Sequence, residues 1–445
     1  MELRDIIVTP LIIILVYGVA YVVRPLVTDQ IIRVYFLPAL TVKIFCALAV
    51  GFIYQFYYDG GDTFNYHTHG SRHVWEAFMD QPVKGFRLLM SDGTYEASTY
   101  KYSSKIIFFT DPSSYAIVRA AAVFDLLTFS SYSATAVLFA VFSFVGMWMF
   151  FLVFYERYPA LHKWLAFAAF FIPSVFFWGS GLLKDTITMG CIGMSTYAFY
   201  KIFVAHEPKF KGWLILIFSL YGLWAIKVYI LLTFLPAAII WIFLANLQYT
   251  RSLVLRLLLF PFVTVLASAF GYYAIIKAGE DNARYSIKNL ARTAQITAYD
   301  IRYYTGRGAG SGYSLGELDG SFSSMLALAP QAINVSLFRP YLWEVNNPLM
   351  FLSAVESLSL LVFCIVAIIK SNVRLGKLIF QPDILFALVF ALPFAFAVGV
   401  STFNFGTLVR YKIPMLPFFI VALMLILDQS KSDKKVAELD STEYR

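Results

Sequence analysis

Residues 58–73 read Tyr-Asp-Gly-Gly-Asp-Thr-Phe-Asn-Tyr-His-Thr-His-Gly-Ser-Arg-His, which gathers two carboxylates, two adjacent glycines and three of the chain's five histidines into one loop. Gly60 and Gly61 permit a tight backbone turn where a side chain would clash, so Asp59 or Asp62 can be held facing a substrate. A carboxylate fixed in this way can take a proton from an acceptor hydroxyl or orient that acceptor. Asp62 is the first candidate for this role, Asp59 the alternative beside it, and Tyr66 a candidate substrate contact on the same stretch. The structural alternative for Asp62 is a helix N-cap, because Asp62-Thr63 precedes a helical-looking sequence. His67, His69 and His73 offer imidazoles to a divalent metal, but only His69 and His73, at i and i+4, share a helix face. No Cys or Glu cluster completes such a set, so the expectation is no metal and no other cofactor, with the histidines as scaffolding.

Three more polar stretches carry chemistry. Trp178-Gly179-Ser180-Gly181-Leu182-Leu183-Lys184-Asp185-Thr186 reads as a short turn between two helices. Lys184 there can pair with a phosphate, against snorkelling as its structural reading, while Asp185 is expected to cap the following helix. In Leu337-Phe338-Arg339-Pro340-Tyr341-Leu342-Trp343-Glu344, Arg339 offers a planar fork for phosphate or carboxylate, and Glu344 can hold that fork or a sugar hydroxyl. An aromatic belt with one ion pair explains the same residues structurally. Arg410, in Asn404-Phe405-Gly406-Thr407-Leu408-Val409-Arg410-Tyr411-Lys412, is read as opening a helix bent by Pro414 and Pro417, placed to hold a phosphate leaving group. Lys43 and Glu356 lie inside apolar runs and therefore require a partner or a polar cavity.

These groups need elements that suit a bilayer. The 445 residues are 60% hydrophobic and 14% charged, with a mean hydropathy of +0.70, far more apolar than a soluble domain. The net charge of +8 comes from residues scattered in short loops between apolar runs, so nucleic acid is not a partner; membrane lipids are. Cys46, Cys191 and Cys364 fall inside apolar runs without metal-ligand spacing. Apolar runs of spanning length lie near 6–23, 34–57, 132–155, 164–179, 186–204, 212–227, 229–247, 254–276, 349–369, 383–401 and 412–427. The chain is therefore expected to be an all-α polytopic bundle of about eleven spans. Only Lys227 interrupts the stretch from 212 to 247, and one merged helix there would change the count. One alternate set of loops holds Arg24, Arg33, Arg157, Lys163, Lys201 and Lys209, which marks it as cytoplasmic and puts every unusual polar motif on the opposite face. A signal peptide ending near Gly18-Val19-Ala20 competes with this topology, but the acidic start at Glu2 and Asp5 favours an uncleaved first helix. Residues 1–427 form one transmembrane domain in this reading, and 428–445 a disordered cytoplasmic tail. Segments 58–131 and 277–348 become extracytoplasmic, with 115–129 an amphipathic helix on the bilayer surface and 305–320, holding six glycines, a mobile lid.

The loop 58–66, the Pro-Ser then Gly-Leu-Leu-Lys-Asp turn at 173–185, and the Arg-Tyr followed by prolines at 410–417 resemble parts of the polytopic, lipid-phosphate-dependent glycosyltransferases of the GT-C type. In that family an acidic residue in an early extracytoplasmic loop is the catalytic base or positions the acceptor. The chain departs from it in that this loop follows the second span and carries no paired Asp-Glu. The resemblance implies a polyprenyl-phosphate-linked sugar as donor and a glycan or lipid-linked acceptor. Asp62 would act as base and Lys184, Arg339 and Arg410 would hold the departing phosphate, in a bacterial inner membrane with the site on the periplasmic face. A polymerase or ligase acting on lipid-linked oligosaccharide, and a lipid or glycan transporter, remain as alternatives; the lack of internal repeats weighs against the transporter.

Overall fold

The computed structural model describes residues 2–247, 312–313, 315, 326–371, 375–402 and 404–443, with side chains to 430. Every regular element among these residues is helical. Seven of the helices are long and apolar enough to cross a membrane, or eight if the bent pair Phe405–Tyr411 and Leu416–Ser430 counts as one span. This makes the protein an integral membrane protein of helical class, as its composition requires. The expected span at 254–276 lies outside the described residues, as does most of the glycine-rich 305–320.

The chain divides into two compact units, residues 1–202 with 207–228, and residues 203–206 with 229–445. The first contains α1 (Leu3–Val27), α2 (Arg33–Phe56), α3 (Asp62–Tyr66), α4 (Arg72–Asp80), α5 (Pro82–Met90), α6 (Tyr100–Ser103), α7 (Pro112–Thr128), α8 (Tyr132–Arg157), α9 (His162–Phe170), α10 (Pro173–Trp178), α11 (Lys184–Phe199) and the start of α12 (Phe210–Leu247).

Polar pairs fix which helix ends meet. Asp5, in the first turn of α1, accepts from Ser131 Oγ at 2.8 Å and Ser133 N at 3.2 Å, at the start of α8. At the other pole Tyr155 Oη donates to Asp29 at 2.6 Å, and Tyr35 Oη meets His162 Nδ1 at 2.8 Å. Lys184 returns to the first pole, where it donates to Ser113. Residues 162–178 therefore traverse the unit, although not as the single helix expected. Phe171 and Ile172 leave the helix, and Pro173, which has no N–H, starts α10 afresh. Lys43 stabilises the broken segment from α2: its buried ammonium donates to Gly179 O at 2.7 Å and Ser143 Oγ at 3.1 Å, so carbonyls at the end of α10 provide the partner its depth demands.

α12 is assigned as one helix of 38 residues with non-helical dihedrals at Lys227 (φ −143°, ψ 78°). Straight, it would measure about 57 Å, nearly twice a hydrocarbon core. The break falls on the residue that interrupts the apolar run in the sequence. Its first part packs antiparallel to α11, with Ser195 Oγ 2.8 Å from Ser219 Oγ and Cys191 against Gly222.

The second unit contains the remainder of α12 with α13 (Ala329–Phe338), α14 (Pro348–Ser371), α15 (Leu375–Ile379), α16 (Pro382–Thr402), α17 (Phe405–Tyr411) and α18 (Leu416–Glu443). Its core is aromatic: Trp241 stacks on Phe386 at 4.3 Å and donates from Nε1 to Asp383 at 2.8 Å. The backbone of α18 stays helical to Glu443, which corrects the expectation of a disordered tail after 428. α7 covers the stretch read as an amphipathic helix. It is helical as read, with Ile117, Val118, Ala121 and Asp125 buried inside the unit and Val123 and Leu127 exposed.

Candidate functional site

The loop after α2 closes through three consecutive positive φ values, Asp59 at 53°, Gly60 at 119° and Gly61 at 113°. Glycine meets that requirement at two positions without strain, and Asp is among the residues that tolerate it at the third. Gly60 N donates back to Tyr54 O at 2.8 Å, and Gly61 O accepts from Phe64 N and Asn65 N at 3.1 and 3.0 Å. Gly61 is therefore the N-cap of α3 and Asp62 stands in its first turn. Asp59 is exposed on the turn, while Tyr66 is buried with its ring 5.1 Å from that of Phe108.

Asp62 is anchored from its C-terminal side. The Thr63 hydroxyl lies 2.6 Å from the Tyr132 hydroxyl, and Phe64 stacks on the Tyr132 ring at 4.6 Å. The histidines scatter. His67 is fully buried with Nε2 3.3 Å from Asp125 Oδ1, His73 Nδ1 is 3.0 Å from Glu76, and His69 is exposed. Among the described residues no three His, Cys, Asp or Glu side chains form a group that could hold a metal.

Lys184 stands at the start of α11, on the side of the unit where the Asp62 turn ends α2. The charges of Asp111, Lys227, Asp62 and Asp185 all act on the Lys184 ammonium. Lys184 Nζ donates to Ser113 Oγ at 2.8 Å and lies 3.8 Å from Asp111 Oδ2. Asp111 caps α7, accepting from Ser113 N at 3.2 Å and from the Ser114 hydroxyl at 2.5 Å. Burial pulls its carboxyl upward, but the Ser114 hydroxyl, Lys184 and Ser113 outweigh that and hold it below the ordinary carboxylate value. Asp185 is not the cap expected of it: Leu183 occupies that position, and the buried Asp185 carboxylate pairs with Lys227 Nζ. Two ammonium groups thus meet three carboxylates. Lys227 is matched by Asp185, and Lys184 by Asp111, with Asp62 a further charge acting on it. The sequence reading missed Asp111, whose signal was the Asp-Pro-Ser-Ser start of a helix.

The other candidates belong to the second unit. Arg339 forms a two-oxygen pair with Glu344, Nε lying 3.0 Å from each carboxylate oxygen, and the rings of Tyr313, Tyr341 and Phe405 surround the guanidinium at 5.3 to 5.9 Å. Burial raises the Glu344 carboxyl, but the Arg339 donors and the Tyr341 N–H bring it below its ordinary value. Arg410 sits in the last turn of α17 rather than at a helix start, because Asn404 caps that helix upstream, accepting from Gly406 N at 2.8 Å. The helix axis then bends by 69° into α18. Lys412 is buried and donates to Ser357 Oγ at 3.2 Å, and the charge of Glu356 acts on it.

Comparison with protein-family models, curated proteins and solved structures finds no match to this chain.

Proposed function

We propose that the protein is a membrane glycosyltransferase that moves a sugar from a polyprenyl-phosphate donor to a glycan or lipid-linked acceptor on the extracytoplasmic face of a bacterial inner membrane. The observation that carries this reading is the partly buried Lys184 ammonium at the pole where α2 ends and α11 begins, bound to Ser113 at 2.8 Å with Asp111 3.8 Å away and with Asp62 among the charges acting on it. The acceptor oxygen attacks the anomeric carbon as Asp62 takes its proton, and the bond from that carbon to the phosphate oxygen breaks with inversion. The electron pair leaves on the lipid phosphate, whose growing charge Lys184 neutralises. Lys184 becomes available because its partner Asp111 is 3.8 Å away and half exposed, a counter-ion that a phosphate can replace. Arg410 is the companion candidate for binding the donor.

Purified protein in vesicles, supplied with a polyprenyl-phosphate sugar and an acceptor glycan, is expected to release polyprenyl phosphate. Asp62→Asn should lower that rate by about two to four orders of magnitude at unchanged donor affinity, the range for loss of a general base. Arg410→Ala should instead weaken donor binding. Undiminished turnover in Asp62→Asn would remove Asp62 from the role, and donor movement across the membrane without sugar transfer would favour a transporter.

A further inference from the structure

The stretch between the Asp62 turn and α7 contains an apolar face unrelated to the reaction proposed above. α4 and α5 meet at a corner at Gln81 and pack through Gly85, where an added Cβ would come within 2.3 Å of the Phe78 ring. Gly85 and Leu88 form the buried side of α5. Its other side is Val83, Phe86 and Met90, 63%, 58% and 80% exposed, and Met79 of α4 adds another 59%. Positions i, i+3 and i+7 lie on one helix face. The charges on α5 are Lys84, which pairs with Asp80 of α4 at 3.3 Å, and the exposed Arg87.

The place of this corner is fixed by α1. Arg72, at the start of α4, lies 2.6 Å from Glu2, and the Arg4 guanidinium stands 5.4 Å over the Trp75 ring. α1 is itself apolar and exposed from its first turn, at Leu3, Ile6 and Ile7, so lipid reaches that level. We infer that the α4–α5 corner is a lipid-binding surface seated in the headgroup layer of an anionic bilayer. Val83, Phe86 and Met90 enter the acyl boundary, while Arg87 meets lipid phosphates and Lys84 can exchange Asp80 for them. Two features favour lipid over a protein partner: α4 starts against the first turn of α1, whose exposed side chains are apolar, and the exposed Arg87 beside the face suits an anionic surface.

The test uses the full chain with Cys364→Ser, the buried Cys46 and Cys191 retained, and a nitroxide attached through Phe86→Cys. It is reconstituted in vesicles of phosphatidylcholine with phosphatidylglycerol. The ratio of oxygen to aqueous-nickel collision rates at this label should exceed severalfold that of a label at the exposed Asp92→Cys position. Lys84→Glu with Arg87→Glu should lower it toward the Asp92 ratio. A Phe86 ratio equal to that of Asp92 would overturn the inference by showing a solvated face. A label shielded from both reagents would overturn it by showing a protein cover, whether a second copy or another chain. Met90→Cys, read in the same way, serves if Phe86→Cys does not fold.

Discussion

Arg339 and Glu344 show what a single charged pair contributes here and when it stops contributing. Both side chains keep 19% exposure, so the two-oxygen bond is worth roughly 1–2 kcal/mol after solvent screening. Because the folded Glu344 carboxyl is held below its ordinary value of 4.5, its stabilisation is complete above that pH and is lost as pH falls through the lower, folded value. Thermal unfolding in detergent should therefore find Glu344→Gln less stable than wild type at neutral pH, with the difference vanishing on acidification; a gap that persists or widens in acid would contradict the pairing. The polar residue types of both units were legible in the sequence, and so was the Arg339–Glu344 pair, five residues apart. Pairings across long separations were not. Nothing local told that Lys184 meets Ser113, 71 positions earlier, or that Asp185 answers Lys227 instead of capping its own helix.

Apolar run length located most helices, because a bilayer imposes one length on every crossing. It did not reveal how they pack, since helices in lipid associate through small residues and close backbone approach, a signal scattered along the chain. α8 and α11 illustrate this. A Cβ added at Gly146 would stand 2.0 Å from Gly190 O, and one at Gly193 would stand 2.1 Å from Gly146 O. These backbones touch, so neither position has room for a methyl group unless the helices separate. Gly193→Ala is expected to destabilise by about 2–3 kcal/mol, at the high end for overpacking. Gly18→Ala, where nothing lies within 4 Å of the new Cβ, should leave the unfolding midpoint unchanged or raise it slightly, since alanine is the better helix former. Equal effects at the two sites would mean that α8 and α11 do not meet in this way. The same physics explains why the segment 164–179 deceived: its hydropathy is that of one helix, yet Pro173 and the carbonyls bound by Lys43 make it two.

At the scale of the molecule, the first unit has two chemically different poles. One holds Asp62, Lys184, Asp111 and the α4–α5 corner, with Lys227 paired to Asp185. The other holds Arg24, which donates to Arg33 O at 2.8 Å, together with Arg157 and with Lys201 at 2.9 Å from Glu156. Six traverses connect the poles, namely α1, α2, α8, the α9–α10 pair, α11 and the start of α12. An even number returns the chain to the side where it began, so one orientation decides the side of every residue in the unit. Short basic loops stay in the cytoplasm, so the proposed function requires the Arg24 pole on that side and the Asp62 pole outside. Asp92→Cys and Lys163→Cys, both at exposed positions and built on Cys364→Ser, read this directly with a membrane-impermeant maleimide. Asp92→Cys should react in intact cells and Lys163→Cys only after the membrane is opened. The reverse pattern would place Asp62 in the cytoplasm and remove the lipid-phosphate donor on the outer face, while labelling of both from one side would mean that the traverses within the unit are not six.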